Sequence, residues 1–378
     1  MDLKKITGVF LLLLGTINCG FPDRMDDSTF PGIVVDFSPA ESGRYIGSPS
    51  LAALPNGDYV ASHDRFGPGS TEKQAGETRI FFSGDKGETW EHLTDFEGQF
   101  WSGLFVHDGS LYIMGTSRQI GSVVIRRSDD GGRSWTSPRD ENSGLLAAEP
   151  SYHTAPMPVV IHAGRIWRSM ELGEGARPEW GALVMSAPVD ADLLKRDNWD
   201  MSGVLYNRDP DLRWIEGNVV ITPEGGLVDI LRTNGIGAGK AAITHLLKDA
   251  SGLSWNPEED IIEFIGGGAK FTIRYDDQSQ RYWSIVNKQK DPETYRNVLA
   301  LTSSEDLRSW KLESILVNQL EREDRAFQYV DWLFEGDDII AVSRTAWDGA
   351  HRPHDANYMT FHRIKGFRGR TMEDPPWH

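Results

Sequence analysis

A short turn motif occurs twice in the chain and constrains its fold more than any other feature. It reads Ser83-Gly-Asp-Lys-Gly-Glu-Thr-Trp90 and again Ser128-Asp-Asp-Gly-Gly-Arg-Ser-Trp135. A worn copy follows at Ser304-Glu-Asp-Leu-Arg-Ser-Trp310, and a more degraded one spans Asp190 to Trp199. Each residue type has a local task. Serine and aspartate oxygens can bond the turn's own backbone, glycine supplies a positive φ, and tryptophan can pack beneath the turn. The motif is a structural device, so it specifies a scaffold and leaves the chemistry to other residues.

Around these turns the chain repeats. Each unit has a short apolar strand, a glycine turn, a second strand ending in polar residues, a third strand and a fourth. Units open near Ser48, Trp101, His153, Glu216, Lys270 and Phe327. The sixth has room for only three strands, and the strand Ile33-Val-Val-Asp-Phe37 is left over near the N-terminus. Pairing the two would close a ring. The expectation is an all-β, six-bladed β-propeller over 32–378, with helix nearly absent.

Residues 1–19 read as an export signal. Lys4 and Lys5 precede an apolar run from Val9 to Leu14, too short to span a membrane. Cys19, the only cysteine, follows it and suggests a lipoprotein anchored to the bacterial surface or outer membrane, with 20–31 as a linker. A single cysteine also excludes an intrachain disulfide. The expected location is the periplasm or cell surface, with membrane contact only through that anchor. A net charge of −17 argues against a nucleic-acid partner, while a local basic pocket could still take an anionic sugar.

In a propeller the innermost strands line the central channel, and ligands bind at one mouth. The residues to weigh are those that start each first strand and end each second strand. At the starts stand Ser48, Trp101, His153, Glu216, Lys270 and the group Phe327, Tyr329 and Asp331. At the ends stand His63, Asp64, Arg118, Glu171, Arg232, Asn287 and Arg344. Charges of both signs on a nominally buried ring are either paired or functional.

The turn motif resembles the Asp-box of the sialidase superfamily, and the resemblance extends over the whole mature chain. Ser48-Pro-Ser-Leu51 is similar to the sialidase opening strand, with Ser48 close to where the family has an arginine and Asp64 near the family's acidic position. Glu216 to Arg232 resembles the segment carrying a glutamate and the second arginine of the family's carboxylate clamp. Phe327-Gln-Tyr-Val-Asp331 is similar to the segment that begins with the family's tyrosine nucleophile. Here that place holds Phe327, which cannot attack, and Tyr329 could substitute only if the backbone shifts. The resemblance therefore implies a relative of the sialidases with different sugar chemistry.

The leading expectation is an exported, exo-acting glycosidase on an acidic or decorated polysaccharide. Its catalytic carboxyl pair comes from Glu216 with Asp64 or Asp331, and Glu171 completes the pool; without a tyrosine nucleophile the pair leans to inversion. Arg118, Arg232, Lys270 and Arg344 would bind acidic groups, Trp101 and Tyr329 would stack on a sugar, and His63 and His153 would contact hydroxyls or move protons. The competing readings are a propeller polysaccharide lyase using histidine, tyrosine and arginine, and a non-catalytic glycan-binding lipoprotein. No cofactor is expected. The segment His351-Arg-Pro-His354-Asp355 fits no standard zinc spacing and reads as a solvated loop near the mouth.

Overall fold

In the computed structural model of the protein, residues 30–173, 180–209, 211–288, 296–320 and 322–376 are described, with backbone alone for 149–151. The export segment, Cys19 and all but the last two residues of the 20–31 linker lie outside the described residues. The body from Gly32 to His378 forms one compact unit. Its described elements are antiparallel strands and three short 3-10 turns, at Ala40–Ser42, Arg196–Asn198 and Phe367–Gly369.

Four sheets have four or five strands each, and a fifth has nine. Six separate blades were expected, so the sheet count is a correction. The strand Leu145–His153 pairs with Gly121–Ser128 on one side and with Arg165–Leu172 on the other, which joins the second and third repeat units into one sheet. The pairing with Gly121–Ser128 is broken by two register shifts, so the join is an irregular seam.

The leftover N-terminal strand behaves as its position suggests. Ile33–Phe37 pairs antiparallel with Tyr358–Ile364, the last strand of the chain, and completes that sheet. Side chains of the first and last units then share one core, including Ile46, Leu51, Tyr59, Phe81, Ile340, Val342, Met359 and Phe361. Burial explains the residue choice in the strands. The second strand of the first unit, Tyr59–Phe66, is buried through its first six residues because sheets cover both of its faces. The fourth, Glu91–Glu97, has no buried residue and reads polar.

The turn motifs share one hydrogen-bond pattern. Ser83 Oγ donates to Asp85 Oδ1 at 2.8 Å and accepts from Gly87 N at 2.8 Å, while Asp85 accepts from Thr89 N at 2.9 Å. The second copy repeats this through Ser128, Asp130, Gly132 and Ser134. In each, the indole N–H donates to the carbonyl of the glycine, Trp90 to Gly87 at 3.1 Å and Trp135 to Gly132 at 2.9 Å. The worn copy keeps the bonds with one residue fewer: Leu307 N donates to Ser304 Oγ, and Trp310 donates to the Leu307 carbonyl. Leu307 adopts φ +64°, where Gly87 and Gly132 have +91° and +94°. A leucine there costs about 1–2 kcal/mol of backbone strain, and its side chain is buried among Phe264, Phe271 and Ala300, which offsets that cost.

Hydrogen bonds also tie the inner strands to one another. Ser50 Oγ donates to Asp331 Oδ2 at 2.8 Å and accepts from Leu104 N at 2.9 Å, linking the last, first and second units. Asn218 Oδ1 accepts from Ile273 N at 3.0 Å, linking the fourth and fifth.

Candidate active site

Three inner strands carry the same irregularity near their beginnings. Register slips between Phe100 and Gly103, between Ile215 and Asn218, and between Gln328 and Asp331. At each slip one non-glycine residue takes a left-handed conformation: Trp101 at φ +45°, Glu216 at +58° and Tyr329 at +54°. Such bulges re-aim a side chain at a cost of about 1–3 kcal/mol for each strained residue. The backbone shift that Tyr329 required is therefore present. Gly217 completes the second bulge, because a Cβ there would stand 2.3 Å from Ser169 Oγ and 2.4 Å from Asp229 Oδ1.

Tyr329 is the centre of a guanidinium cluster. Arg232 Nη1 lies 3.5 Å from its hydroxyl. The Arg344 and Arg296 guanidinium carbons lie 4.9 and 5.5 Å from its ring centroid. Arg232 and Arg344 end the second strands of their units, as the sequence suggested. Arg296 precedes the third strand of the fifth unit, Val298–Ser304, a position the strand-end reasoning did not cover. Arg344 is buried, donates to the His354 carbonyl, and packs over Phe66 at 4.4 Å. Its Nε has no hydrogen-bond partner among the described residues, and burial pushes the guanidinium down to about 10.

The carboxyl groups divide into two kinds. Burial pushes Glu216 upward, but the Arg232 guanidinium, 2.9 Å away, overrides it by charge and hydrogen bonding, with smaller help from His153 and Arg296. Glu216 is thus held ionised. Asp64 is pushed up to about 8 by burial, even though it accepts from Thr78 Oγ1 at 2.9 Å and Trp101 N at 2.7 Å and feels the charge of Arg344. At neutral pH it holds its proton. Two carboxyls driven apart in this way are suited to opposite proton-transfer roles.

Glu171 and His153 form a separate pair. Glu171 is fully buried, accepts from Gly217 N at 3.0 Å and bonds His153 Nδ1 at 2.9 Å. The imidazole edge is clasped between Trp101 and Trp180, with centroids at 4.5 and 4.8 Å. Glu171 therefore positions His153.

Four other candidates are placed elsewhere. His63 is fully buried, with Nδ1 on the Asp64 carbonyl at 2.8 Å and Nε2 on Asp36 at 2.8 Å, so both nitrogens are spent on the scaffold. Asp331 receives Ser50 Oγ, Leu51 N, Trp332 N and Arg274, which makes it a tie across the ring. Lys270 gives its ammonium to Thr272 Oγ1 and the Val330 carbonyl, and burial lowers it to about 8. Arg118, half-buried in the loop after Ser110–Thr116, bonds the Ile120 carbonyl. What converges is Trp101, His153, Glu216, Arg232, Tyr329 and Arg344, with Asp64 bonded to the backbone of Trp101, and with Arg296 and Trp180 added by the structure.

The loop at 351–355 folds around Asp355. This buried carboxylate receives His351, Arg352 and His354, each at 2.8 Å. The His354 carbonyl in this loop accepts from Arg344.

No family model matches the chain, and no curated protein matches it in sequence. Solved structures do. A protein of unknown function from Dyadobacter fermentans is 15% identical over 89% of this chain and 98% of its own, with a TM-score of 0.59. The α-L-arabinofuranosidase of Fusarium graminearum in complex with arabinobiose is 12% identical over 89% of this chain and 98% of its own, with a TM-score of 0.58. The sialidase of Trypanosoma rangeli is 13% identical, covering 85% of this chain and 55% of the sialidase, with a TM-score of 0.56. At these identities the likeness establishes the fold: the chain is an all-β propeller of the kind on which these glycoside hydrolases are built.

Proposed function

We propose that the protein is an exported, exo-acting glycoside hydrolase that releases a terminal sugar carrying an anionic group. The nine-stranded sheet then counts as two blades of a six-membered ring, and Cys19 is the lipid-bearing residue. The observation that carries the reading is the convergence of Arg232, Arg296 and Arg344 on Tyr329. Three guanidiniums against the carboxylates of Glu216 and Asp355 still leave an excess of positive charge, which suits a carboxylate or sulfate.

Roles follow from protonation. The Tyr329 oxygen attacks the anomeric carbon as the bond to the leaving oxygen breaks. Asp64 gives its proton to that oxygen, and Glu216 takes the phenol proton. Water then attacks the same carbon, Asp64 takes a proton from it, and the phenolate leaves and recovers its proton from Glu216. A neutral phenol approaches a centre next to an anionic group without the repulsion a carboxylate would meet. Tyr329 thus replaces the carboxylate-pair mechanism, and the stereochemistry becomes retention.

A lyase is the second reading. It is favoured by His153, which Glu171 holds through Nδ1 with Nε2 unbonded among the described residues. Arginines neutralising a uronate, with histidine and tyrosine as base and acid, would suit β-elimination. Incubation with a panel of acidic oligosaccharides, following reducing ends and ultraviolet absorbance together, separates the readings. New reducing ends without absorbance, abolished in Asp64→Asn, support the hydrolase. Absorbance abolished in His153→Ala supports the lyase. Neither signal across the panel leaves a glycan-binding protein.

A further inference from the structure

Gln328 is buried at the start of the third bulge, opposite Arg344 in the pairing of Ala326–Glu335 with Asp338–Ala346. Its amide is spent on fixed partners. Oε1 accepts from Arg296 Nη1 at 2.6 Å. Nε2 donates to the Pro353 carbonyl at 2.7 Å and lies 3.4 Å from the His354 carbonyl. A guanidinium can only donate and a backbone carbonyl can only accept, so these partners decide which way the amide faces. The His354 carbonyl also receives Arg344. Two guanidiniums of the cluster therefore rest on the same short stretch of backbone, Arg344 directly and Arg296 through Gln328.

The guanidiniums are held by different chemistry. Arg232 pairs with the Glu216 carboxylate at 2.9 Å. Burial pushes Arg232 down, and Glu216 more than reverses this. Arg296 and Arg344 are held by neutral acceptors, an amide oxygen and a backbone carbonyl, and among the described residues neither forms an ion pair with a carboxylate. Burial pushes both below the usual guanidinium range. Asp355 reaches Arg344 by charge alone, because its own bonds go to His351, Arg352 and His354. Neutral acceptors fix where a guanidinium sits without neutralising it. A carboxylate at 328 would match the amide in size, pair with Arg296, and leave the Pro353 carbonyl without its donor.

Resting on the reading above that the cluster takes an anionic sugar, we infer that Gln328 positions Arg296 and sets the selectivity for that anion. Its neutral amide holds the guanidinium still and leaves the positive charge for the carboxylate or sulfate of the ligand. Exchanging the amide for a carboxylate keeps the shape of the site and removes its preference for an anion.

Calorimetric titration tests this without requiring turnover. The probes are glucuronic, galacturonic and sialic acids and galactose 6-sulfate. For the anion that binds, Gln328→Glu is expected to lower affinity about tenfold or more, because Arg296 is then neutralised. Gln328→Met fills the same space and leaves the charge of Arg296 free, so it recovers most of that loss and binds within about threefold of the unaltered protein. Arg296→Gln should weaken binding about tenfold by itself, and adding Gln328→Glu to it should cost about twofold at most, since the two changes act through one guanidinium. Arg296→Gln decides the matter if Gln328→Glu fails to fold. Affinity within twofold of the unaltered protein in either single variant overturns the inference and leaves the anion reading standing. Equal losses in Gln328→Glu and Gln328→Met make Gln328 a structural residue and overturn its part in selectivity. Binding of none of the probes by the unaltered protein refutes the anion reading and this inference with it.

Discussion

The turns at Ser83–Trp90 and Ser128–Trp135 and the bulges at Trp101, Glu216 and Tyr329 solve the same backbone problem in opposite ways. Both hold the chain at positive φ. The turns do so with Gly87 and Gly132, where no side chain resists. The bulges do so with an indole, a carboxylate and a phenol, for which the conformation is strained. Strain that glycine would remove is kept at these three corresponding places on inner strands, and the proposed function rests its roles on those side chains. The worn turn at Ser304–Trp310 lies between the two cases, since Leu307 is strained but buried in the core.

The largest effect expected from this comparison is at Tyr329. Tyr329→Phe removes one half-buried hydroxyl and should lower kcat by about 10^3-fold or more while the melting temperature stays nearly constant. Steady-state kinetics beside thermal melts would show it; a variant that melts early with its turnover retained would make the bulge structural. Gly87→Ala should do the reverse. Its Cβ would stand 2.3 Å from Phe361 Cε1 at φ +91°. The expected loss is about 2–4 kcal/mol in denaturant unfolding, with activity per folded molecule unchanged. Leu307→Gly should be smaller and of mixed sign. Relief of strain returns about 1–2 kcal/mol, and loss of a buried leucine costs about 2–5 kcal/mol. A net loss is therefore expected, and a net gain in stability would show that burial does not offset the strain there.

A pH-dependent effect lies behind the second bulge. Burial raises Asp229, beside Gly217, to about 8. Its folded value exceeds its unfolded one, so its contribution to stability is complete below about pH 4 and is lost as pH rises through 8. Asp229→Asn should therefore show a smaller fall in melting temperature between pH 5 and pH 9 than the unaltered protein. Equal falls in the two proteins would mean that Asp229 is not the group responsible.

Much of the scaffold could be read from the sequence because the relevant signals are local. Turn chemistry sits within eight residues, and the surplus strand Ile33–Phe37 pointed to its partner by exclusion. The join at Leu145–His153 was not legible, because which neighbour an edge strand pairs with depends on packing across units. At the mouth, strand ends pointed to Asp64, Glu171, Arg232 and Arg344. The resemblance to the sialidase segment puts Phe327 where Tyr329 is needed, because the bulge between Gln328 and Asp331 leaves no mark in the sequence. Arg296 carries no such signal, because it lies just before Val298–Ser304 and so neither starts a first strand nor ends a second one. His63, Lys270 and Asp331 fit the pattern by residue type and position, but their partners Asp36, Val330 and Ser50 come from distant parts of the chain.

The central claim is that the bulge at 328–331 turns Tyr329 into the reacting position. Trapping tests it most directly. The protein would be incubated with a fluorinated anionic glycosyl fluoride, which reacts quickly and hydrolyses slowly, and then digested for peptide mass spectrometry. The expected result is one glycosyl adduct, on Tyr329, absent from Tyr329→Phe. An adduct on Glu216 or Asp64, or full turnover of the same fluoride by Tyr329→Phe, would contradict it.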